Sequence, residues 1–291
     1  MATPNGQGRR ALPLIIVAAI LLLLATPSVS VAQDPQWQFG SAPSFSSGKY
    51  GTDTRTDILY TPISARRLFA DGDLTLVFPF ICIWGDGSVT VVNESAVRQQ
   101  RTSDSSATSE RGGRTSGTSP TTGSSKSGRA CGMGDVIMRG RYFLVVEPGW
   151  VPTIAVRGHV KAPTASAARD LGTGRPDEGL GIEVSRTIAG GLIAMADGGY
   201  TFIGKPAGVD YGNTWWYGVG IGQDLAKGAV NLSIFLEEDR AIVHGFANSR
   251  DILAAVSVKG ARGWRVQVSG EVGLSDGAPD HGVTFGASRR F

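Results

Sequence analysis

Residues 262–274 read RGWRVQVSGEVGL, and apolar and polar side chains alternate along this stretch. The apolar positions are Trp264, Val266, Val268, Val272 and Leu274, and the polar positions are Arg265, Gln267, Ser269 and Glu271. An alternation with period two over about ten residues predicts a β-strand that has one apolar face and one polar face.

The same alternation returns through most of the chain. Residues 151–161, 177–188 and 231–237 repeat it, with Phe235 as the exception. Counting such segments predicts about twelve strands, at 43–51, 55–67, 72–84, 134–146, 151–163, 177–188, 191–204, 212–224, 228–238, 250–259, 262–272 and 280–291. No convincing helical stretch follows the N-terminal segment.

The connections between these strands fall into two alternating kinds. Short connections lie at 68–71, 147–150, 189–190, 225–227 and 260–261, and long ones at 85–133, 164–176, 205–211, 239–249 and 273–279. Residues 52–54 depart from the rule, since a short connection stands there in place of a long one. Transmembrane barrels have short periplasmic turns, long extracellular loops and an even number of strands. The chain is therefore expected to be all-β, a transmembrane antiparallel β-barrel of about 12 strands.

Aromatic side chains support the barrel prediction. They lie near the predicted strand ends, at Trp84, Tyr142, Trp150, Tyr200, Phe202, Trp215, Tyr217 and Trp264. Aromatic girdles occupy both membrane interfaces in such barrels. The chain ends on Phe291, after the alternating apolar positions Val283, Phe285 and Ala287. A terminal aromatic residue on such a strand resembles the C-terminal assembly signal of outer-membrane barrels.

The N-terminus has the three parts of an export signal. Arg9 and Arg10 precede an apolar run from Ala11 to Ala25, and the small residues Ser30-Val31-Ala32 follow. This order predicts a cleaved signal peptide at 1–32, since the run is shorter than the ~20 residues of a spanning helix. Removing Arg9 and Arg10 from the 28 basic residues leaves 26 against 25 acidic ones. The mature chain, 33–291, is then nearly neutral, and no nucleic acid is expected as a partner.

Composition excludes several other classes of protein. Glycine accounts for 41 of 291 residues without the triplet period of collagen. With 41% hydrophobic residues, the chain is too apolar to be wholly disordered. Two cysteines cannot form a disulfide-dense scaffold or a four-cysteine zinc site. A folded, glycine-rich chain remains.

The long connection at 85–133 contains a low-complexity segment and one of the two cysteines. Residues 98–130 are mainly serine, threonine, glycine and arginine, so this part is expected to be a flexible extracellular loop. Cys82 and Cys131 flank it. A disulfide between them would close a loop of about 50 residues. Two free thiols that merely pack are the less favoured alternative in an exported protein.

If the apolar faces meet lipid, the polar faces line the lumen. The side chains expected there are Asp135, Arg139, Arg141, Arg157, His159, Lys161, Asp177, Glu183, Glu237, Arg265, Gln267 and Glu271. A hairpin symmetric about residue 170 would place Arg157 directly opposite Glu183. The five basic members on the fourth and fifth strands are the best candidates for solute contact. For any individual residue, a structural role in filling the interior of a small barrel is the more common one.

Enzymatic functions find little support. His159, His244 and His281 are scattered and lack a G-x-S-x-G setting, so no catalytic, metal or cofactor-binding residues are expected. Residues 218–222, Gly-Val-Gly-Ile-Gly, imitate a dinucleotide-binding fingerprint but lie in an alternating strand with no helix after it. These glycines instead indicate close packing in the barrel wall.

Several short motifs in order resemble one known family. They are Lys49-Tyr50-Gly51, Gly132-Met133-Gly134-Asp135, Lys161-Ala162-Pro163-Thr164, Leu171-Gly172-Thr173-Gly174-Arg175-Pro176-Asp177, Gly199-Tyr200-Thr201-Phe202-Ile203-Gly204, Leu274-Ser275-Asp276-Gly277-Ala278-Pro279-Asp280-His281-Gly282-Val283 and Arg290-Phe291. Together they resemble the outer-membrane transporter family of the meta-pathway phenol-degradation type, over about 45–84 and 132–291. The resemblance implies a twelve-strand barrel that passes hydrophobic or aromatic small molecules, loosely like the fatty-acid channels. The chain departs from that family in its longer serine/threonine loop and in Arg289, where tyrosine is common.

The resulting hypothesis is an outer-membrane channel or transporter of a Gram-negative bacterium. Its expected partners are outer-membrane lipid, the barrel-assembly machinery and a small-molecule solute. The alternative is a structural or adhesive surface barrel that displays the flexible loop. Deleting residues 98–130 would separate the two, because transport should survive the deletion and adhesion should not.

Overall fold

The structure, a computed structural model, describes residues 36–92, 95–98, 128–147, 150–206 and 209–291. The predicted signal peptide and most of the low-complexity segment lie outside these ranges. Residues 36–291 form one compact unit. Among the described residues, no helix is long and apolar enough to cross a bilayer.

The described residues form sixteen strands and three short 3₁₀ turns. The first eight strands are β1 (Gln36–Ser41), β2 (Ser44–Gly48), β3 (Thr56–Phe69), β4 (Gly72–Gly85), β5 (Val89–Val92), β6 (Ser95–Arg98), β7 (Gly128–Met133) and β8 (Val136–Val145). The others are β9 (Thr153–Ala162), β10 (Asp177–Thr187), β11 (Leu192–Phe202), β12 (Thr214–Leu225), β13 (Val230–Asp239), β14 (Ser249–Lys259), β15 (Trp264–Gly273) and β16 (His281–Arg290). The 3₁₀ turns are Ala167–Arg169, Ala226–Gly228 and Ala261–Gly263.

Fourteen of these strands form one closed antiparallel sheet. From β8 to β16 each strand pairs with its sequence neighbours, and both β1 and β2 pair with β16 on one side and with β3 on the other. β1 and β2 are thus two halves of one barrel strand, separated at Ala42 and Pro43, since proline has no N–H for the ladder. β7 and β8 likewise pair in succession with β4. The ring therefore has twelve strands, which confirms the predicted fold.

The prediction for the first strand was too short. The strand begins at Gln36, seven residues before the expected start at 43. Pro43 interrupts the alternation after only a few residues, and this makes the first half look like a loop. The short connection at 49–55 lies at the same end of the barrel as the long loops. It is short for a connection at that end, but the alternation of barrel ends along the chain is kept.

A small hairpin made of β5 and β6 lies at the long-loop end and was not predicted. Val89 and Val91 belong to a buried cluster that includes Tyr50, Ile81 and Leu171. Val92 belongs to a second cluster, formed with Ile203, Tyr211, Ile242 and Val243. The buried hydroxyl Oγ1 of Thr90 donates a hydrogen bond of 2.8 Å to the carbonyl oxygen of Asp170. The hairpin thereby packs between the loops at this end.

Candidate functional site

The barrel encloses a cavity of about 920 Å³. Its lining extends from Gln38 and Arg265, near the short-turn end, to Ile242 and Pro279 in the loops at the other end. The cavity therefore follows the barrel through most of its length.

One side of the cavity wall carries a network of alternating charges. Arg66 donates to Asp73 at 2.6 Å, and Arg141 donates to the same carboxylate oxygen from Nε at 3.0 Å. Nη1 of Arg141 also donates to Oε1 of Glu183 at 2.9 Å. These residues lie on β3, β4, β8 and β10, so the network crosses five adjacent strands of the twelve-strand wall. Each side chain remains between 9 and 33% exposed, which leaves the network in contact with the lumen.

Arg157 lies beside this network but does not face Glu183. Its direct partner across the strands is Gly181, two residues from the predicted position, so the prediction of an Arg157–Glu183 pair was wrong. The 163–176 loop contains a 3₁₀ turn and is not symmetric about residue 170. Arg157 instead forms an ion pair with Asp197, and its guanidinium carbon lies 3.9 Å from the ring centre of Trp216.

Large side chains on the inner face lie opposite glycines. The direct cross-strand pairs are Arg157 with Gly181, His159 with Gly179, Asp197 with Gly218, Trp216 with Gly199, Phe235 with Gly220, Gln267 with Gly286 and Glu271 with Gly282. At Gly179 a Cβ atom would overlap the His159 ring, and at Gly220 it would overlap the Phe235 ring. At these two positions, the absence of a Cβ atom lets the partner ring pack against the barrel wall. The glycines of residues 218–222 thus face packed side chains and do not form a nucleotide-binding turn.

The opposite side of the cavity is acidic. Glu237, Asp239, Asp251 and Glu271 line it from β13, β14 and β15. Glu237 lies directly opposite Asp251, and like charges in such positions repel. Within the part of the chain that the structure describes, none of these four carboxylates has an ion-pair partner. The lumen therefore has a mixed arginine-rich side and an uncompensated acidic side.

The end of the cavity near the long loops is more apolar. Val92, Ala96 and Val97 of the β5–β6 hairpin line it together with Ile242 and Phe246. Beneath them Tyr50, in the β2–β3 connection, shares a hydrogen bond of 2.9 Å with Ser46. Burial raises the pKa of Tyr50 to about 12, so its hydroxyl stays neutral at physiological pH. A solute that enters from this end meets apolar side chains before the charged ones.

Asp135, Lys161 and Asp177 were expected in the lumen but do not line the cavity, so this part of the prediction was wrong. Nζ of Lys161 lies 2.6 Å from Asp177 and 3.2 Å from Asp135, and all three side chains are almost fully buried. Lys161 also donates to Thr173 of the loop at 3.1 Å. The 163–176 loop packs over this end of the inner wall. The alternation therefore predicted correctly that these side chains point inward, but it could not predict that a loop separates them from the cavity.

The structure brings most of the remaining expected residues to the cavity. Those that line it are Arg139, Arg141, Arg157, His159, Glu183, Glu237, Arg265, Gln267 and Glu271. Sequence reasoning missed Arg66, Asp73, Asp197 and Trp216, which also line it. The alternation of their own strands could have found them, since each occupies an inward position.

The predicted disulfide is present. Cys82 and Cys131 are direct cross-strand partners on β4 and β7, and their sulfur atoms are bonded. Arg129 donates from Nε to the sulfur of Cys131 at 3.0 Å. The bond ties the start of the long connection to its end. Among the described residues, no group of three histidine, cysteine or acidic side chains is placed to hold a metal ion.

A closed twelve-strand antiparallel barrel with an apolar outer face and a charged inner face is the architecture of an outer-membrane β-barrel. Residues 88–291 match the family described as "Putative MetA-pathway of phenol degradation", and the chain belongs to that family. No curated protein matches the sequence significantly.

Solved structures resemble the chain at low sequence identity. An outer membrane channel from Pseudomonas putida F1 has a TM-score of 0.64 and 10% identity, covering 91% of this chain and 100% of that chain. The CymD monoaromatic hydrocarbon channel has a TM-score of 0.43 and 9% identity, covering 89% of this chain and 88% of that chain. The first similarity shows a shared barrel fold.

Proposed function

We propose that this protein is an outer-membrane channel that passes small aromatic molecules through the barrel lumen. The observation that carries the proposal is the cavity that follows the barrel from the loops to the short turns. A barrel with only a structural role needs no such space, because side chains can fill the interior of a small barrel.

The lining of the cavity supports a solute with both apolar and polar parts. Val92, Val97 and Phe246 offer apolar contacts at the loop end, and the Arg66–Asp73–Arg141–Glu183 network offers hydrogen bonds further along. Sites for small molecules typically combine apolar walls with a few placed polar groups. An aromatic ring with a polar substituent could contact the apolar side chains first and the polar network after them. The phenol-degradation description of the family agrees with such a solute.

Export, orientation and assembly form part of the same proposal. Cleavage after Ala32 would release a mature chain that begins close to β1. The short turns would then face the periplasm and the long loops the exterior, as in other barrels. Phe291, 64% exposed beside Phe39, would serve as the signal for the barrel-assembly machinery. None of the proposed steps involves catalysis or a cofactor.

The test is solute uptake by proteoliposomes that contain the purified barrel. The panel combines phenol, benzoate and toluene with aliphatic solutes of similar size, and with sugars and salts as controls. We expect the aromatic solutes to enter the proteoliposomes faster than they enter empty liposomes. Permeability equal to that of empty liposomes for every solute would remove the channel proposal and favour the surface-display alternative.

A further inference from the structure

An arginine–aromatic patch lies on the outer surface of the barrel where the sheet closes. It consists of Trp37, Phe39, Arg67, Phe69, Trp264, Arg289 and Phe291. These residues belong to the adjacent strands β15, β16, β1 and β3, or directly follow β16. Trp264 and Phe39 are the direct neighbours of Arg289 on either side, and Trp37 is the direct neighbour of Arg67.

Alternation places this patch on the lipid-facing surface. The neighbours of its members along the strands, Gln38, Arg66, Arg265 and Ser288, all line the internal cavity. Because successive side chains point to opposite faces, the members of the patch point away from the lumen. The patch also lies at the short-turn end, where β1 begins and β16 ends. In the proposed orientation this end is the periplasmic interface of the membrane.

The rings hold both guanidinium groups. The Arg67 guanidinium carbon lies 5.1 Å from the ring centre of Trp37 and 5.8 Å from that of Phe69. That of Arg289 lies 4.6 Å from the ring centre of Phe291 and 5.8 Å from that of Trp264. Trp37 stacks on Phe39, and Phe39 meets Phe291 edge to face. Both cations therefore belong to one continuous aromatic surface.

Neither guanidinium has a counter-ion within the described part of the chain. No carboxylate forms an ion pair with Arg67 or Arg289, and Nε of Arg289 is enclosed without an acceptor. Two unpaired positive charges on a lipid-facing surface are costly unless the headgroup layer supplies an anion. A guanidinium matches the two oxygens of a phosphodiester geometrically, and aromatic rings settle at the same depth.

We infer that this arginine–aromatic patch binds the phosphodiester headgroup of an anionic phospholipid in the periplasmic leaflet. The inference rests on the membrane location within the proposed function and not on transport. Lipid bound there would stabilise the contact between β16 and β1, where the first and last strands of the barrel pair. A barrel that retains lipid but passes no solute would leave this inference intact and overturn only the proposed channel.

The test measures phosphatidylglycerol retained by the purified full-length barrel in a neutral detergent, by native mass spectrometry. The variant R67Q/R289Q removes both charges and keeps a polar side chain at each position. R186Q is the matched control, because Arg186 is exposed on the lipid-facing side of β10, near the same end, without a ring contact. R67K/R289K keeps the charge but loses the planar fork.

We expect R67Q/R289Q to weaken phosphatidylglycerol binding about tenfold, as the loss of charge-assisted hydrogen bonds implies. R67K/R289K should fall between this variant and the wild type, and R186Q should match the wild type. Equal retention by R67Q/R289Q and the wild type would overturn the inference, as would an equal loss in R186Q. Normal retention together with defective assembly in cells would also overturn it and would point to a protein partner. Heat-modifiability on gels checks folding, and the single variants R67Q and R289Q replace the double variant if it does not fold.

Discussion

At the scale of single residues, the inner wall depends on glycine as much as on charge. His159 occupies the space that a Cβ atom of Gly179 would need, and Phe235 does the same at Gly220. The abundance of glycine thus has a physical cause besides turns. In five of the seven pairs, the large inner side chain occupies the space that a Cβ atom on its cross-strand glycine would need. Side chains packed against the wall in this way leave space in the middle of the barrel.

Gly179→Ala should destabilise the barrel because the new methyl group would overlap the His159 imidazole, which supplies its three nearest heavy atoms. Overpacking of this kind costs about 1–3 kcal/mol. The free energy of unfolding, from urea titration in micelles, measures the effect. His159→Ala/Gly179→Ala should recover most of the loss. Gly140→Ala is the control, since its nearest neighbour would lie 4.0 Å away. Equal losses in Gly140→Ala and Gly179→Ala would contradict the packing explanation.

Charge in the lumen should set ion selectivity. Replacing Arg139 and Arg157 by glutamine removes two positive charges and leaves Asp197 without its ion-pair partner. The acidic side of the cavity then dominates the field, so the channel should shift toward cations. The reversal potential across a planar bilayer with a salt gradient measures this, and R186Q serves as the control. An unchanged reversal potential would show that these arginines do not face the ion path.

At the scale of elements, the strands could be predicted from the sequence, but the loops that pack over their inner face could not. Alternation depends only on neighbouring residues, so the sequence alone predicts the strand that contains Val266 and Gln267 and the opposite faces on which they lie. The position of Lys161 depends on Asp177, on Thr173 and on a loop, and no periodic pattern encodes such contacts. The predicted register between β9 and β10 was wrong because the hairpin is centred on residue 169 and not on residue 170.

The β5–β6 hairpin is the clearest example of an element hidden from sequence. Its two strands have four residues each, too few for an alternation to stand out. What holds it in place is distant in sequence: Tyr50, Leu171 and Ile242 come from three different loops. The hairpin therefore narrows the long-loop end through contacts that only the folded barrel creates.

Val91→Asp should release the hairpin and raise the single-channel conductance. Val91 is almost fully buried among apolar side chains, where an unpaired carboxylate is strongly disfavoured. The same substitution at Val146, exposed beside a short turn, is the control and should leave the conductance unchanged. A conductance equal to the wild type in a folded Val91→Asp barrel would mean that the hairpin does not restrict the path.

At the scale of the whole molecule, the barrel has an apolar outer surface and a charged inner surface around a continuous cavity. Outward side chains such as Ile182, Val272 and Phe285 are exposed and apolar, as a lipid-facing surface requires. Inside the lumen, charged side chains are divided between a mixed side and an acidic side. We propose that solute moves through this lumen.

Cysteine accessibility tests that claim most directly. Thr75 and Leu76 are neighbours on β4, but Thr75 lines the cavity opposite Arg139 and Leu76 lies on the outer face. Single-channel conductance is recorded for Thr75→Cys and Leu76→Cys before and after a charged, membrane-impermeant thiol reagent is added. The lumen account predicts a fall in conductance for Thr75→Cys and no change for Leu76→Cys or the wild type, whose two cysteines are bonded to each other. An unchanged conductance in fully labelled Thr75→Cys would contradict it.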